Sequence, residues 1–220
     1  MRVKHNILIT AGNTWAPIDD VRVITNIFSG ETGLTIAYTL AKKGFNVTLI
    51  LGDIRVSLEN YKHRRLKIIR ALTFKSFFKT TKKEVQTKKY KVLIHAAAIS
   101  DFLLKKQIKG KVKSTKQITL ALTPTPKIVD KIKKWDPEIL LIKFKLEANI
   151  SKDKLFKIAL KSKKKSQADL IIANKLPMEK KHIFYLLKSK KQSKKIVGKK
   201  NLALKLASIF HKELNANTRN

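Results

Sequence analysis

Apolar positions fall along this chain in short runs that alternate with stretches of helical spacing. Asn6 to Thr10 is a brief apolar run that ends in Ala11 and Gly12, the pattern of a buried strand entering a turn. Beyond Ser29 and Gly30, apolar residues recur at Leu34, Ala37, Leu40 and Ala41, and Gly44 supplies a helix stop. Val47 to Leu51 then reads as a second strand. Strand, helix and strand in so short a span predict a βαβ unit, and with it a parallel sheet and a right-handed crossover. The alternation continues through a strand at Leu66 to Leu72, a helix at Phe74 to Lys88 and a strand at Val92 to Ala96.

After Asp101 the periodicity weakens. Leu103 to Lys116 is rich in lysine and reads as a mobile loop, about residues 103–116. Ile118 to Leu122 has strand character, and a helix over Lys127 to Lys134 follows Pro124 and Pro126. Ile139 to Phe144 and Leu170 to Ala173 are apolar runs separated by a helix at Lys152 to Lys165. Ile183 to Leu187 and Lys195 to Val197 predict an antiparallel hairpin, and a last amphipathic helix covers about Leu202 to Leu214. No linker composition and no internal repeat interrupts the pattern. The expectation is one domain over residues 1–220: α/β, a Rossmann-like, mostly parallel sheet flanked by helices, with a small antiparallel hairpin near the C-terminus.

Charge changes this picture less than its size suggests. Of 50 basic residues only seven are arginine, leaving 43 lysines against 15 acids and a formal net charge of +35. Nucleic-acid readers lean on the arginine fork and on stacking aromatics, whereas these lysines are spread over the chain with modest clusters at Lys161 to Lys165 and Lys188 to Lys200. Compositional drift, anionic small substrates and a nucleic-acid surface all fit the charge at this stage. The absence of cysteine excludes disulfides, thiolate zinc sites and a cysteine nucleophile. No apolar run has the ~18 residues of a membrane span, and no signal peptide pattern opens the chain, so a cytoplasmic protein is expected.

In an open α/β sheet, ligands bind at the carboxyl ends of the strands. Three of the seven glycines, Gly12, Gly30 and Gly33, lie in the first such loop or the helix start behind it, and Ser29 to Gly33 suits a phosphate cradle. The spacing is neither the G-x-G-x-x-G of dinucleotide folds nor a Walker loop, and a structural turn explains it equally well. Tyr38 and Lys42 have the Y-x-x-x-K spacing of short-chain reductases but sit in the first helix, where they read as surface. His95 reads as a structural histidine, and the histidines show no metal-ligand spacing; no metal ligands are assigned.

Taken together, Ile7 to Thr14, Pro17-Ile-Asp19, Val21-Arg22, Thr25-Asn26 and Ser29 to Gly33 resemble the opening of phosphopantothenate–cysteine ligases. Ala96-Ala-Ala-Ile-Ser-Asp-Phe102 is similar to that family's A-A-V-x-D-[YF] motif, and Lys111-Val-Lys113 falls where its K-x-K-K loop lies. Thr123 to Ile128, Phe144, Glu147 and Ala168 to Asn174 resemble its nucleotide-side motifs. The resemblance spans nearly the whole chain in order.

The resemblance implies a ligase of coenzyme A biosynthesis in which CTP, with Mg²⁺, activates the carboxylate of 4′-phosphopantothenate as an acyl-nucleotidyl intermediate that the amine of L-cysteine then attacks. It further implies Lys111 and Asn26 as catalytic residues, and Arg22, Asn26, Ala97, Ala98 and Asp101 around the substrate. Nucleotide contacts carried over are Gly12, Ser29, Gly30, Gly33, Asp101, Lys111, Thr125, Pro126, Lys127, Ile128, Phe144, Lys161, Lys165 and Asn174. Homodimerisation is expected, with Arg22 reaching across the interface, and a separate decarboxylase would act next. The chain departs from the family pattern at Asn13, Phe28, Glu31, Ser114, Lys143 and Lys175. Two rival readings stay open: an NAD- or flavin-binding oxidoreductase on the same topology, and a basic nucleic-acid-binding module.

Overall fold

A computed structural model describes residues 5–115, 117–177 and 182–216. The chain opens with β1 (Asn6–Ala11), whose last five residues are buried, followed by two short strands, β2 (Ala16–Pro17) and β3 (Val23–Ile24), that pair antiparallel with each other. Helix α1 (Glu31–Lys42) turns Leu34, Ile36, Ala37, Leu40 and Ala41 inward, and its chain returns through β4 (Asn46–Leu51) and β5 (Leu66–Arg70). Helix α2 (Phe74–Gln86) begins with a reciprocal cap between Thr73 and Ser76, which satisfies amides that the first turn leaves without helical partners. Strand β6 (Val92–His95) is buried along its length.

The predicted strand at Ile118 to Leu122 is displaced. Only Leu122 belongs to a strand there, β8 (Leu122–Pro124), which pairs antiparallel with β7 (Phe102–Leu104) as a separate ribbon. Ile118 is instead 44% exposed, so the apolar run does not enter the core. Of the predicted loop, Leu103 and Leu104 are therefore strand residues, and Lys116 lies outside the described residues. The helix expected over Lys127 to Lys134 divides into a 3₁₀ turn at Ile128–Lys131 and the single α-turn α3 (Ile132–Trp135). Strand β9 (Leu140–Ala148), helix α4 (Lys152–Ser166), strand β10 (Leu170–Leu176), strands β11 (Ile183–Leu187) and β12 (Ser193–Val197), and helix α5 (Lys199–Ala216) complete the chain. Both β9 and β10 run further than their apolar cores, through residues 146–148 and 174–176, which pair only with each other.

Eight strands form one sheet in the order β12-β11-β10-β9-β6-β1-β4-β5. The pairings from β5 through β10 are parallel, and the antiparallel β11–β12 hairpin extends the same sheet rather than standing apart. The α/β class and the mostly parallel sheet expected from periodicity are thus present. Helices α1 and α5 cover one face, where Leu34, Leu40, Leu202, Leu206 and Phe210 join Ile7, Ile9 and Ile172. Helices α2 and α3 cover the other face through Phe77, Val85, Ile132, Leu8 and Leu93, while α4 packs Leu155 and Ala159 on Ile171 and Ala173. Successive strands leave β1 in opposite directions, β4 and β5 to one side and β6, β9 and β10 to the other. The crevice of the sheet therefore opens between the ends of β1 and β6.

Candidate active site

Three chain segments converge at that crevice. Past β1, residues 12–14 are clamped between the end of β4 and the segment after β6: Asn13 exchanges backbone hydrogen bonds of 2.8 Å each way with Asp53, the Ala98 amide donates to the Gly12 carbonyl at 2.9 Å, and the Thr14 amide donates to the Ala98 carbonyl at 3.3 Å. Gly12 holds φ +77°, and a Cβ there would lie 2.6 Å from the Asp53 carbonyl oxygen. Gly52, a position the sequence reading passed over, is closer still, since its Cβ would stand 2.1 Å from the Asn13 carbonyl oxygen. Gly30 caps the N-terminus of α1 and Gly33 faces Ala11. Ser29 Oγ accepts from the Glu31 amide at 3.4 Å.

Asn13, where the family pattern has glycine, is fully buried and donates from Nδ2 to the Phe28 carbonyl at 2.6 Å, which fixes the loop ahead of α1. Glu31, in the first turn of α1, is held in an ion pair with Lys199 at the start of α5, which offsets its negative charge there. Asn26 donates from Nδ2 to the Ala98 carbonyl at 2.9 Å, so a predicted catalytic residue sits against the predicted Ala97–Ala98 lining. Thr14 and Ser100, buried together, exchange hydrogen bonds of 2.8 and 3.0 Å and set the bend ahead of Asp101. Thr125 Oγ1 donates to the Ser100 carbonyl at 2.7 Å, its amide donates to the Asp101 carbonyl at 2.9 Å, and Lys127 pairs with the Asp101 carboxylate. Pro126 is exposed, whereas Ile128 places its side chain in the core and leaves only backbone to a ligand.

The remaining candidates divide between the two faces of the sheet. Phe144 packs edge-on against Phe184 with ring centroids 6.4 Å apart, and Asn174 lines a depression with Pro177, His182 and Phe184 on the face that α1 and α5 cover. Burial, and then Lys199, lower the proton affinity of His182. Lys161 and Lys165 lie on α4, across the sheet from Phe144; Lys161 is exposed, and Lys165 pairs with Asp130 at 3.3 Å, close to the turn that carries Lys127. The structure thus joins Lys165, but not Phe144, to the Asp101–Lys127 side of the crevice.

One row of side chains crosses the sheet at the crevice floor: Thr10, His95 and Lys143 are register partners on β1, β6 and β9. Thr10 Oγ1 lies 3.0 Å from His95 Nδ1. Burial, reinforced by Lys143, lowers the His95 pKa to about 3, so the imidazole is neutral, in keeping with a structural role. Lys143, 5% exposed, donates to Ser162 Oγ at 2.9 Å and has its pKa lowered to about 8, chiefly by burial. Its aliphatic neighbours gave no cue that a lysine would point inward.

The third part of the site is a clasp. Asp19, whose carboxylate is fully buried, receives N–H groups from Val21, Arg22 and Val112, and Arg22 donates in turn to the Val112 carbonyl at 2.6 Å. Lys111, exposed beside Val112, is thereby brought to the same segment as Arg22. In the sequence Asp19 figures only within the family-like stretch Pro17-Ile-Asp19, with no role of its own.

Residues 3–214 match the family described as the C-terminal domain of DNA/pantothenate metabolism flavoproteins. The chain belongs to that family. It is 36% identical over 170 residues to the coenzyme A biosynthesis bifunctional protein CoaBC of Thermococcus kodakarensis and 32% identical over 180 residues to that of Methanocaldococcus jannaschii, covering 77% and 82% of this chain. It spans 41% and 42% of those two relatives, about two fifths of their length. Among solved structures, a DNA/pantothenate metabolism flavoprotein from Streptococcus pneumoniae superposes with a TM-score of 0.81 at 33% identity, covering 97% of this chain and 99% of the other. A Cab2 variant in complex with phosphopantothenate-cysteine shares the fold at a TM-score of 0.75 and 14% identity, over 98% of this chain and 89% of that one.

Proposed function

We propose that this protein is a phosphopantothenate–cysteine ligase of coenzyme A biosynthesis that uses CTP. The observation that carries the reading is the crevice between β1 and β6, where Asn26 is bonded to the Ala98 carbonyl and the Asp101–Lys127 pair stands at its rim. Small side chains at Ala97 and Ala98 let a ligand approach the backbone there. Membership of a pantothenate-metabolism family and likeness to coenzyme A biosynthesis proteins support the same reading.

In this reading a carboxylate oxygen of 4′-phosphopantothenate attacks the α-phosphorus of the nucleotide and pyrophosphate leaves. The cysteine amine then attacks the acyl carbon, the nucleoside monophosphate departs, and an amide remains. Both reactants of the first step are anions, so the protein's task is to place donors where negative charge grows. Lys111 takes that role, Asn26 holds the acyl intermediate, and Arg22, whose Nε and Nη2 are engaged by Asp19 and Val112, offers its Nη1 edge to the substrate phosphate. Ser29, Gly30 and Gly33 receive the triphosphate at the start of α1, with Phe144 and Asn174 toward the base and ribose. Among the described residues no three acidic or histidine side chains form a metal cluster. A magnesium ion carried on the triphosphate would supply further charge neutralisation; the Asp101 carboxylate at the rim is itself engaged by Lys127.

A second copy of the chain would cover the exposed apolar side chains in and beside the two small ribbons, Phe102 at 52% exposure in one of them, Val21 at 62% in the turn between β2 and β3 and Ile27 at 73% just after β3. A monomer in sedimentation equilibrium at all concentrations would remove the dimer from this reading. The activity is tested by pyrophosphate release, which is expected from CTP only when phosphopantothenate is present, with CMP following on addition of cysteine. Lys111→Gln should lower that turnover by about 10²-fold, the scale of losing one transition-state donor, while leaving the thermal midpoint unchanged. Unchanged turnover in Lys111→Gln would refute the mechanism, and equal or faster turnover with ATP would refute the choice of CTP.

A further inference from the structure

Asp19 has no part in the chemistry above, yet its surroundings are more elaborate than a turn requires. It lies in an exposed segment, since Asp20, Val21 and Arg22 are all open to solvent, while its own carboxylate is wholly buried. Oδ1 accepts the amides of Val21 and Arg22 at 3.0 and 2.8 Å, which is sufficient to fix the local turn. Oδ2 does something different: it accepts Arg22 Nε at 3.0 Å, Arg22 Nη2 at 2.6 Å and the amide of Val112, 93 residues along the chain, at 3.0 Å. Arg22 Nη2 also reaches the Val112 carbonyl at 2.6 Å, so both backbone polar groups of Val112 are held by one ion pair. The Val112 amide, with Arg22 adding to it, keeps the Asp19 carboxyl far below the ordinary carboxylate range, and the carboxylate form persists at any working pH.

The adjoining bonds follow the same alternation. The Ile108 amide donates to the Ile18 carbonyl at 3.0 Å, the Asp20 amide donates to the Gly110 carbonyl at 3.2 Å, and the Gly110 amide donates to the Asp20 carboxylate at 3.0 Å. Residues 108, 110 and 112 are thus fastened to 18–22, with Lys111 exposed between two fastened neighbours. Arg22 keeps its Nη1 edge free of hydrogen bonds among the described residues, and its side chain is 42% exposed. One guanidinium can therefore hold the loop and an anion together.

We propose that Asp19 is a positioning residue: its buried carboxylate latches the Lys111 segment and aligns Arg22, so that the phosphate-binding arginine and the loop lysine are set as one unit. The proposal deepens the ligase reading and rests on it for the turnover arm of its test. The structural arm needs no substrate. Limited trypsin digestion of the free protein, followed by mass spectrometry at the bonds after Lys109 and Lys113, reads the latch directly. Asp19→Asn keeps the volume and one acceptor but gives up the charge; Val112→Pro removes the amide from the loop side and leaves Asp19 intact.

Both variants should accelerate cleavage at these bonds by about tenfold, with cleavage elsewhere unchanged, because proteolysis follows the population of the open segment. If neither substitution changes loop cleavage, or if only Asp19→Asn does, the Asp19–Val112 latch is wrong whatever the protein catalyses. For turnover, Asp19→Asn should lower kcat about tenfold in the native background and less than twofold when added to Lys111→Gln, since residues acting as one unit are not additive. A full tenfold loss in both backgrounds would show that Asp19 does not act through Lys111 and would overturn the positioning role. Absence of ligase turnover in the native protein, with loop cleavage responding as described, would instead refute the ligase reading and leave the latch standing.

Discussion

Two parts of the same sheet edge are built on opposite principles. The turn after β1 is fixed by volume: residues 12–14, 52–53 and 98 approach so closely that backbone meets backbone, and two of the positions cannot carry a side chain. The clasp between 18–22 and 108–112 is fixed by charge: one buried carboxylate organises exposed, lysine-rich chain around itself. The first device is rigid and cannot be adjusted by a ligand. The second is made of a few polar bonds at the surface, and such bonds open at far lower cost than a packed core. In the proposed ligase, a phosphate cradle and a loop that meets a transition state would place those two demands on the edge.

The sharpest way to break the comparison is to add one methyl group. Gly52→Ala should destabilise the fold by about 3 kcal/mol, at the upper end for overpacking, because the clashing atom is the Asn13 carbonyl oxygen and no flexible side chain can move aside. Chemical denaturation measures this; a loss under 1 kcal/mol would mean that the turn is as adaptable as the clasp.

A smaller effect tests the row of side chains between the two devices. His95 binds its proton in the folded state only near pH 3, against about 6.5 when unfolded, so the unfolded chain takes up the proton first as pH falls. Its contribution to stability is complete above about pH 6.5 and is lost at up to about 1.4 kcal/mol per pH unit on descending towards pH 3. His95→Gln should flatten the midpoint-against-pH curve between pH 6 and 4, and an unchanged slope would show that His95 is not held neutral. The smallest effect is expected at the rim of the clasp, where Asp20→Ala removes an exposed carboxylate from the Gly110 amide and should change stability by less than about 0.5 kcal/mol. A larger loss would place the weight of the clasp on Asp20 instead of Asp19.

These differences also explain what could be read from the sequence. The strands and helices of the sheet were legible because burial on one face or both imposes a period on neighbouring residues. The glycine turn was partly legible, since glycine is scarce in this chain and Gly12, Gly30 and Gly33 stand out; Gly52 did not, because its constraint comes from Asn13 and not from its own neighbours. The clasp was illegible, as its defining bond joins Asp19 to an amide 93 residues away and amides leave no mark in sequence. Ile118 to Leu122 has the composition of a strand, yet the ribbon that forms selects Leu122 to Pro124 because Phe102 to Leu104 offers the matching edge. Among six lysines between 105 and 116, Lys111 was distinguished only through the family resemblance.

The covering of α1 by α5 bears on how the protein is made. The outer side of α1, which carries the Ser29–Gly30 turn at its start, is packed by Leu202, Leu206 and Phe210, and Glu31 in its first turn is paired with Lys199. During synthesis, β1, α1 and β4 leave the ribosome long before those residues exist, so the turn is assembled while one apolar side of its helix is still bare. Helix α5, translated long after α1, seals it, and until it does the nascent chain offers a greasy surface to chaperones or to its own kind.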